Sequence, residues 1–186
     1  RVVKLLAAKR LPVNVARIGS RDMAARVTPA GGPDFFFSSG VVAANQVVEA
    51  AQRAKLPAVQ SAPFHTPLVL ASWEPIAKIL VANGIAQPLS PKVYGVDMTK
   101  LTELMLARKR WKDLTGSAGY DVNRSVLVST TDLRRSNSGA MYLALTSYAK
   151  DGDVVTDRTV AEPLACQLAE LFKRQGYQEN YVDGNF

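Results

Sequence analysis

Residues 125–140, with the sequence SVLVSTTDLRRSNSGA, decide the fold that we expect for this chain. The stretch opens with the apolar run 125–128, which has the composition of a buried strand. It continues through Thr130 and Asp132 to a cluster of hydroxyl and amide side chains, Ser136, Asn137 and Ser138. From Met141 onward the apolar residues have the spacing of a helix. We therefore predict a strand, a polar turn and a helix that begins within the hydroxyl cluster.

The start of a helix has two properties that suit an anion or a polar ligand. Its first backbone N–H groups have no partner within the helix, and the helix dipole is positive there. Serine is also a preferred residue for capping a helix start. Ser136 and Ser138 therefore suit either role, and one serine can serve both.

The first part of the chain repeats this arrangement twice. Val13, Val15 and Ile18 alternate with polar residues as in a strand, and Gly19 and Ser20 follow. A second short apolar run, 34–37, leads into Ser38, Ser39 and a helix predicted over 41–54. Alternating strands and helices predict an α/β fold with a mostly parallel sheet. Ligands collect at the carboxyl ends of such strands, which is where Ser20, Ser38 and Ser39 lie.

The rest of the chain reads mainly as helices, apart from a loop-rich segment at 85–95 that contains Pro88 and Pro91. Residues 65–73 form an extended apolar segment, and Gly84 and Gly176 are predicted helix stops. Thr99 is a candidate cap for the helix that starts at 98, and Thr159 with Glu162 forms a candidate capping box. Cys166 lies among leucines and is predicted to be a small core residue. The further predicted helices cover residues 1–10, 21–26, 76–83, 98–109 and 160–174, and the helix that begins within the hydroxyl cluster runs to about 150.

Composition restricts the classes of protein to consider. The chain has 186 residues, of which 47% are hydrophobic and 21% are charged, as is usual for a globular protein. No apolar run reaches the roughly 18–20 residues of a membrane span. One histidine and one cysteine are too few for a His/Cys metal site, and Cys166 has no partner for an internal disulfide. We predict no metal and no cofactor.

The net charge of +7 raises the question of nucleic acid. The basic residues are dispersed, and only residues 107–113 resemble a patch. No RNA-binding motif, zinc spacing or basic-zipper heptad accompanies that patch. We predict a solvated basic face without a nucleic-acid partner. Attraction for small anions is consistent with the charge.

Several short motifs together resemble the class II solute-binding proteins, the extracytoplasmic receptors that serve ABC transporters. The resemblance spans nearly all of the chain, although each motif is individually common. Its motifs are Gly19-Ser20-Arg21, Pro33-Asp34-Phe35-Phe36-Phe37, Thr66-Pro67-Leu68-Val69-Leu70-Ala71-Ser72-Trp73, Pro75-Ile76-Ala77-Lys78-Ile79-Leu80, Arg110-Trp111-Lys112-Asp113-Leu114 and Ser129-Thr130-Thr131-Asp132 before Ser136-Asn137-Ser138-Gly139.

The resemblance implies a two-lobe α/β sandwich of the periplasmic-binding-protein type, with lobe one incomplete. Lobe one would cover residues 1–73 with a crossing strand, lobe two 74–179, and the return segment would begin at 180–186. The chain would lack its first strand and most of that return segment. A cleft between the lobes would hold the ligand through Ser20, Ser38, Ser39, Ser72, Thr130, Ser136, Asn137 and Ser138. Arg21, Arg134 and Arg135 would add charge if they reached the cleft, but arginines beside helix starts more often face solvent.

The implied function is binding of a small polar solute or oxyanion for transport, without catalysis. The partner would be a membrane permease, and the location would be periplasmic or otherwise extracytoplasmic. A ligand-sensing domain of a transcriptional regulator is the alternative on the same fold. An enzyme is the weaker alternative, because no nucleophile elbow, phosphate loop or metal-ligand set is present. Glu74 and Asp132 would form a catalytic pair only if the fold joined them. A buried Asp132 that pins its turn is the simpler prediction.

Overall fold

The structure is a computed structural model that describes residues 2–30 and 32–178. Its contacts divide the chain into two compact units, Arg1–Ser61 and Ala62–Phe186. The lobes expected at 1–73 and 74–179 stay a prediction. The expected return segment, 180–186, lies outside the described residues.

The described part of the first unit contains two α-helices and two short 3₁₀ turns. Helix α1 covers Val2–Ala8 and helix α2 covers Val41–Arg53. The 3₁₀ turns lie at Ser20–Asp22 and Ala24–Arg26, and α2 packs against the second of them. Only Met23, Ala43 and Ala51 are buried apolar residues in the described part of this unit. Its core is therefore small.

The second unit contains four helices and one hairpin in its described part. Helix α3 precedes the hairpin, and the other three helices follow it. The bounds are α3 Glu74–Ala82, β1 Ala86–Ser90, β2 Val93–Val96, α4 Met98–Leu106, α5 Asn137–Asp151 and α6 Arg158–Gln175.

Helices α4, α5 and α6 pack pairwise around the main core. Met105 of α4 and Leu168 and Leu171 of α6 are fully buried, and the Tyr142 ring of α5 packs edge-on against the Phe172 ring. Val126 lies just before the polar turn and is 1% exposed. The turn is therefore held directly against the helical core.

Helix positions are the part of the sequence prediction that the structure confirms. The six α-helices of the described residues match six of the seven predicted segments within a few residues, whereas the helix predicted at 21–26 is two 3₁₀ turns. Gly84 and Gly176 follow α3 and α6 with φ values of 66° and 74°, a region that glycine adopts without strain. The predicted caps are wrong by two residues, because Asp97 and Asp157 accept from the backbone N–H groups of Lys100 and Thr159.

The predicted two-lobe α/β sandwich is wrong, because the described residues form one two-stranded sheet. Strands β1 and β2 pair antiparallel in a segment that the prolines had suggested was loop. The segments predicted as strands at 13–18, 34–37, 65–73 and 125–128 form none, apart from an isolated bridge between Ser125 and Arg110. A run of three or four apolar residues is compatible with a strand and also with irregular structure. So short a run has too little periodicity to distinguish the two.

Two apolar side-chain predictions also differ from the structure. Leu68, Val69 and Leu70, the apolar run at the centre of the extended segment 65–73, are exposed. Cys166 is exposed on α6 instead of buried in the core. Leu164, Leu168 and Leu171 occupy the buried face of α6 at spacings of four and three residues, which turns position 166 away from it.

Candidate functional site

Asp132 organises the turn that leads into α5. Its backbone oxygen accepts from the N–H groups of Arg135 at 3.2 Å and of Ser136 at 2.8 Å. Its carboxylate accepts from the backbone N–H of Arg134 at 2.9 Å. Asp132 is 6% exposed, so both ends of the residue are fixed in the turn. This confirms the prediction of a buried aspartate that pins the turn.

The Asp132 carboxylate also binds the side chain of Arg134. The Arg134 Nη2 donates to Oδ2 at 2.6 Å, and Nε donates to Oδ1 at 3.0 Å. These side-chain bonds, with the backbone N–H of Arg134, lower the pKa of Asp132 to about 2. Asp132 is therefore charged at neutral pH, and the pair is a lasting feature of the turn.

Ser136 precedes α5 but its side chain does not cap the helix. The Thr131 hydroxyl donates to Ser136 Oγ at 2.7 Å, and both side chains are buried. The Ser136 hydroxyl thus joins the helix start to Thr131 in the preceding turn. It serves the turn instead of capping the helix, and its role in ligand binding stays a prediction.

Gly139, in the first turn of α5, lies against the backbone of the same turn. A Cβ at this position would be 2.5 Å from the Thr131 oxygen and 2.8 Å from the Leu133 Cα. Cβ atoms essentially never approach other heavy atoms within 3.0 Å. The close packing of α5 on residues 131–133 therefore requires a glycine here.

An open cavity of about 320 Å³ lies beside this turn. It is formed where the segment after α6 approaches the Asp132 turn, and Gln175 joins the two because its Oε1 accepts from the Thr130 N–H at 2.9 Å. Polar and charged side chains predominate in the lining, which consists of Asp132, Arg134, Arg135, Gly176, Tyr177 and Gln178. A polar solute is the kind of ligand that such a lining suits.

The predicted ligand residues of the second unit have different environments. Ser136 is buried and paired, whereas Asn137 and Ser138 are half-buried in the first turn of α5. The Ser138 hydroxyl has no hydrogen-bond partner among residues 2–30 and 32–178. Thr130 is half-buried and tied to Gln175 through its backbone. Ser72 is exposed in the segment before α3. None of them lines the cavity.

The predicted ligand residues of the first unit lie together. The hydroxyls of Ser20 and Ser39 are 2.7 Å apart, and the Ser39 N–H donates to Ser20 Oγ at 3.1 Å. The Ser38 hydroxyl donates to the Gly40 oxygen at 3.3 Å, beside the start of α2. The structure thus joins two Gly/Ser segments that are nineteen residues apart in sequence. Their role in ligand binding stays a prediction.

The two carboxylates considered for catalysis each pair with a nearby cation. Glu74 accepts from Lys78 at 2.8 Å, and this contact lowers the pKa of Glu74, just as Arg134 lowers that of Asp132. A general acid at neutral pH needs a raised pKa, so neither carboxyl has the electrostatics of that role.

Within residues 2–30 and 32–178, no cluster of three or more histidine, cysteine or carboxylate side chains is arranged to hold a metal ion. No helix in that part of the chain has the length and apolar character needed to cross a membrane.

Sequence reasoning missed Tyr177 and Gln178, which follow the Gly176 helix stop and have no local pattern. The sequence prediction named Arg134 and Arg135 as sources of charge, but it placed arginines beside helix starts in solvent. The two-residue spacing of Asp132 and Arg134 was the available signal, because that spacing within a turn allows side-chain and backbone contacts together.

Comparison of the chain with protein-family models, with curated proteins and with solved structures finds no match.

Proposed function

We propose that this chain binds a small polar or anionic solute, as the substrate-binding component of an ABC-type transporter does. The observation that carries the solute-binding part is the open cavity beside the Asp132 turn. Its lining combines two arginines, a tyrosine and a glutamine with one carboxylate that is already paired. The two arginines and the one carboxylate among the described lining residues carry a net positive charge, which favours a ligand with negatively charged oxygen atoms.

The proposed site lies wholly within the second unit. Its lining residues fall between Asp132 and Gln178, and they adjoin α5 and α6, which pack on the shared core. A solute can therefore bind here without a cleft between two lobes. The role in transport, a permease partner and an extracytoplasmic location follow from the sequence resemblance alone and are part of the same proposal.

Titration calorimetry of the full chain with sulfate, inorganic phosphate, acetate and glucose tests the solute site. We expect saturable binding of at least one oxyanion. Tyr177→Ala removes a cavity side chain that is 85% exposed, so it should lower affinity about three- to tenfold without unfolding the chain. Tyr148→Ala is the matched control, because Tyr148 is also exposed and lies outside the lining. Absence of binding, or equal losses in the two variants, would refute the proposed site.

A further inference from the structure

The two edges of the Arg134 guanidinium have different surroundings. Nε and Nη2 form the edge that donates to the Asp132 carboxylate, at 3.0 Å and 2.6 Å. Nη1 has no hydrogen-bond partner among the described residues. The Arg134 side chain is 82% exposed, whereas that of Asp132 is 9% exposed. Arg134 thus rests on a buried carboxylate and leaves its other edge, with Nη1, available at the cavity.

The position of Asp132 is itself fixed. Its backbone oxygen accepts from two N–H groups of the turn, and its carboxylate accepts from the Arg134 N–H. The carboxylate oxygens therefore have a defined place relative to the start of α5. Two-point contact with them fixes both the position and the plane of the guanidinium. An arginine that is held in this way loses less conformational entropy when it binds a ligand.

We propose that Arg134 is the oxyanion-binding residue of the cavity and that Asp132 is a positioning residue for it. This inference rests on the proposed solute-binding function and names the ligand class of that site. The class is a compact oxyanion that presents two oxygens to one guanidinium edge, a chemistry shared by carboxylates, sulfate and phosphate. Arg135 also lines the cavity, so the three charged side chains among its described lining residues carry a net charge of +1.

The first test distinguishes two-point hydrogen bonding by the guanidinium from the effect of a positive charge alone. Arg134→Lys keeps the positive charge and a donor for Asp132, but removes the second edge. We expect about a tenfold loss of oxyanion affinity in titration calorimetry. Arg124→Lys is the matched control, because Arg124 is exposed and has no ion-pair partner among the described residues. Its affinity should equal that of the unmodified chain. Parallel titrations with sulfate, phosphate and acetate show which of these oxyanions binds with the highest affinity.

The second test isolates the positioning role of Asp132. Asp132→Asn removes a negative charge near the ligand, and that change alone would raise the affinity for an anion. If Asp132 positions Arg134, affinity should instead fall by about fivefold, since the guanidinium regains its freedom. A rise in affinity would show that Asp132 competes with the ligand, and it would overturn the positioning role.

A third measurement needs no substitution at the turn. In ¹⁵N NMR of the unmodified chain, the Arg134 Nε–H should exchange with water more slowly than the Arg124 Nε–H. Equal exchange rates would contradict a positioned guanidinium even if Asp132→Asn fails to fold. Binding that Arg134→Lys leaves unchanged would refute the role of Arg134 while the solute site stands. Failure of every probe to bind the unmodified chain would refute the proposed function itself.

Discussion

Replacement of Gly139 by alanine should destabilise the second unit, although alanine is the better helix former. The new Cβ would meet three backbone atoms of the preceding turn: the Thr131 oxygen at 2.5 Å, the Leu133 Cα at 2.8 Å and the Leu133 nitrogen at 2.9 Å. Ordinary van der Waals contact begins at 3.4 Å. Backbone atoms cannot rotate out of the way as a flexible side chain can, so either the turn or the first turn of α5 must move.

The expected loss of stability follows from two opposing contributions. Overpacking of this kind costs about 1–3 kcal/mol, and a clash with backbone belongs at the upper end of that range. Alanine in place of glycine within a helix returns about 0.5–1 kcal/mol. The free energy of unfolding should therefore fall by about 2 kcal/mol.

Urea denaturation followed by far-ultraviolet circular dichroism measures this change. Gly119→Ala is the matched control, since a Cβ there would meet nothing within 4 Å. That variant should stay within about 0.5 kcal/mol of the unmodified chain. If Gly139→Ala proves as stable as the control, the close approach of α5 to residues 131–133 is refuted.

Two further predictions concern buried polar groups of the second unit. Thr102 is 0% exposed, and its hydroxyl has no hydrogen-bond partner within residues 2–30 and 32–178. Thr102→Val should therefore raise the free energy of unfolding by about 1 kcal/mol in urea denaturation, and a loss of stability would contradict an unpaired hydroxyl. Asp132 has a pKa lowered to about 2 from 3.8, so its ion pair stabilises the fold above about pH 4 and is lost as pH falls through about 2. The unmodified chain should be more stable than Asp132→Asn by on the order of 1 kcal/mol, a modest figure because Arg134 is largely exposed. This difference in the free energy of unfolding should shrink as pH falls from about 4 to about 2. A difference that stays constant would contradict the lowered pKa of Asp132.

Helices were predictable from the sequence because their information is local. Apolar spacing placed α2 and α6, and Gly176 marked the end of α6 because it adopts a conformation that other residues resist. The caps failed because Asp97 and Thr99 both suit a helix start, and only the backbone geometry selects between them.

The strands were not predictable from the same kind of pattern. A strand requires a hydrogen-bonded neighbour, which short apolar runs such as 34–37 do not specify. The hairpin was missed for the opposite reason, because Pro88 and Pro91 suggested loop. Pro88 nevertheless pairs with Tyr94, and a register shift follows it between Pro88 and Ser90. An irregular, two-stranded sheet tolerates a proline that a central strand would exclude.

The site could be located from sequence only in part, because the polar stretch 129–138 contains more hydroxyls than a ligand needs. The buried Thr131–Ser136 contact stabilises the turn, whereas Arg134 lines the cavity. The sequence shows the side chains of the turn and those of the cavity. It does not show which of them already have hydrogen-bond partners within the fold.

Asp132 connects the turn to the cavity. Variants that move this turn should therefore differ from other destabilising variants in their effect on oxyanion affinity. Its backbone oxygen holds the residues that start α5, and its carboxylate holds Arg134 at the cavity. A change that displaces the turn should therefore reduce both stability and oxyanion affinity, as we expect for Gly139→Ala. Thr102→Val alters a side chain of α4, outside the cavity lining, so it should change stability alone. If Gly139→Ala loses stability but keeps full affinity, the Asp132 turn does not position the ligand-binding arginine.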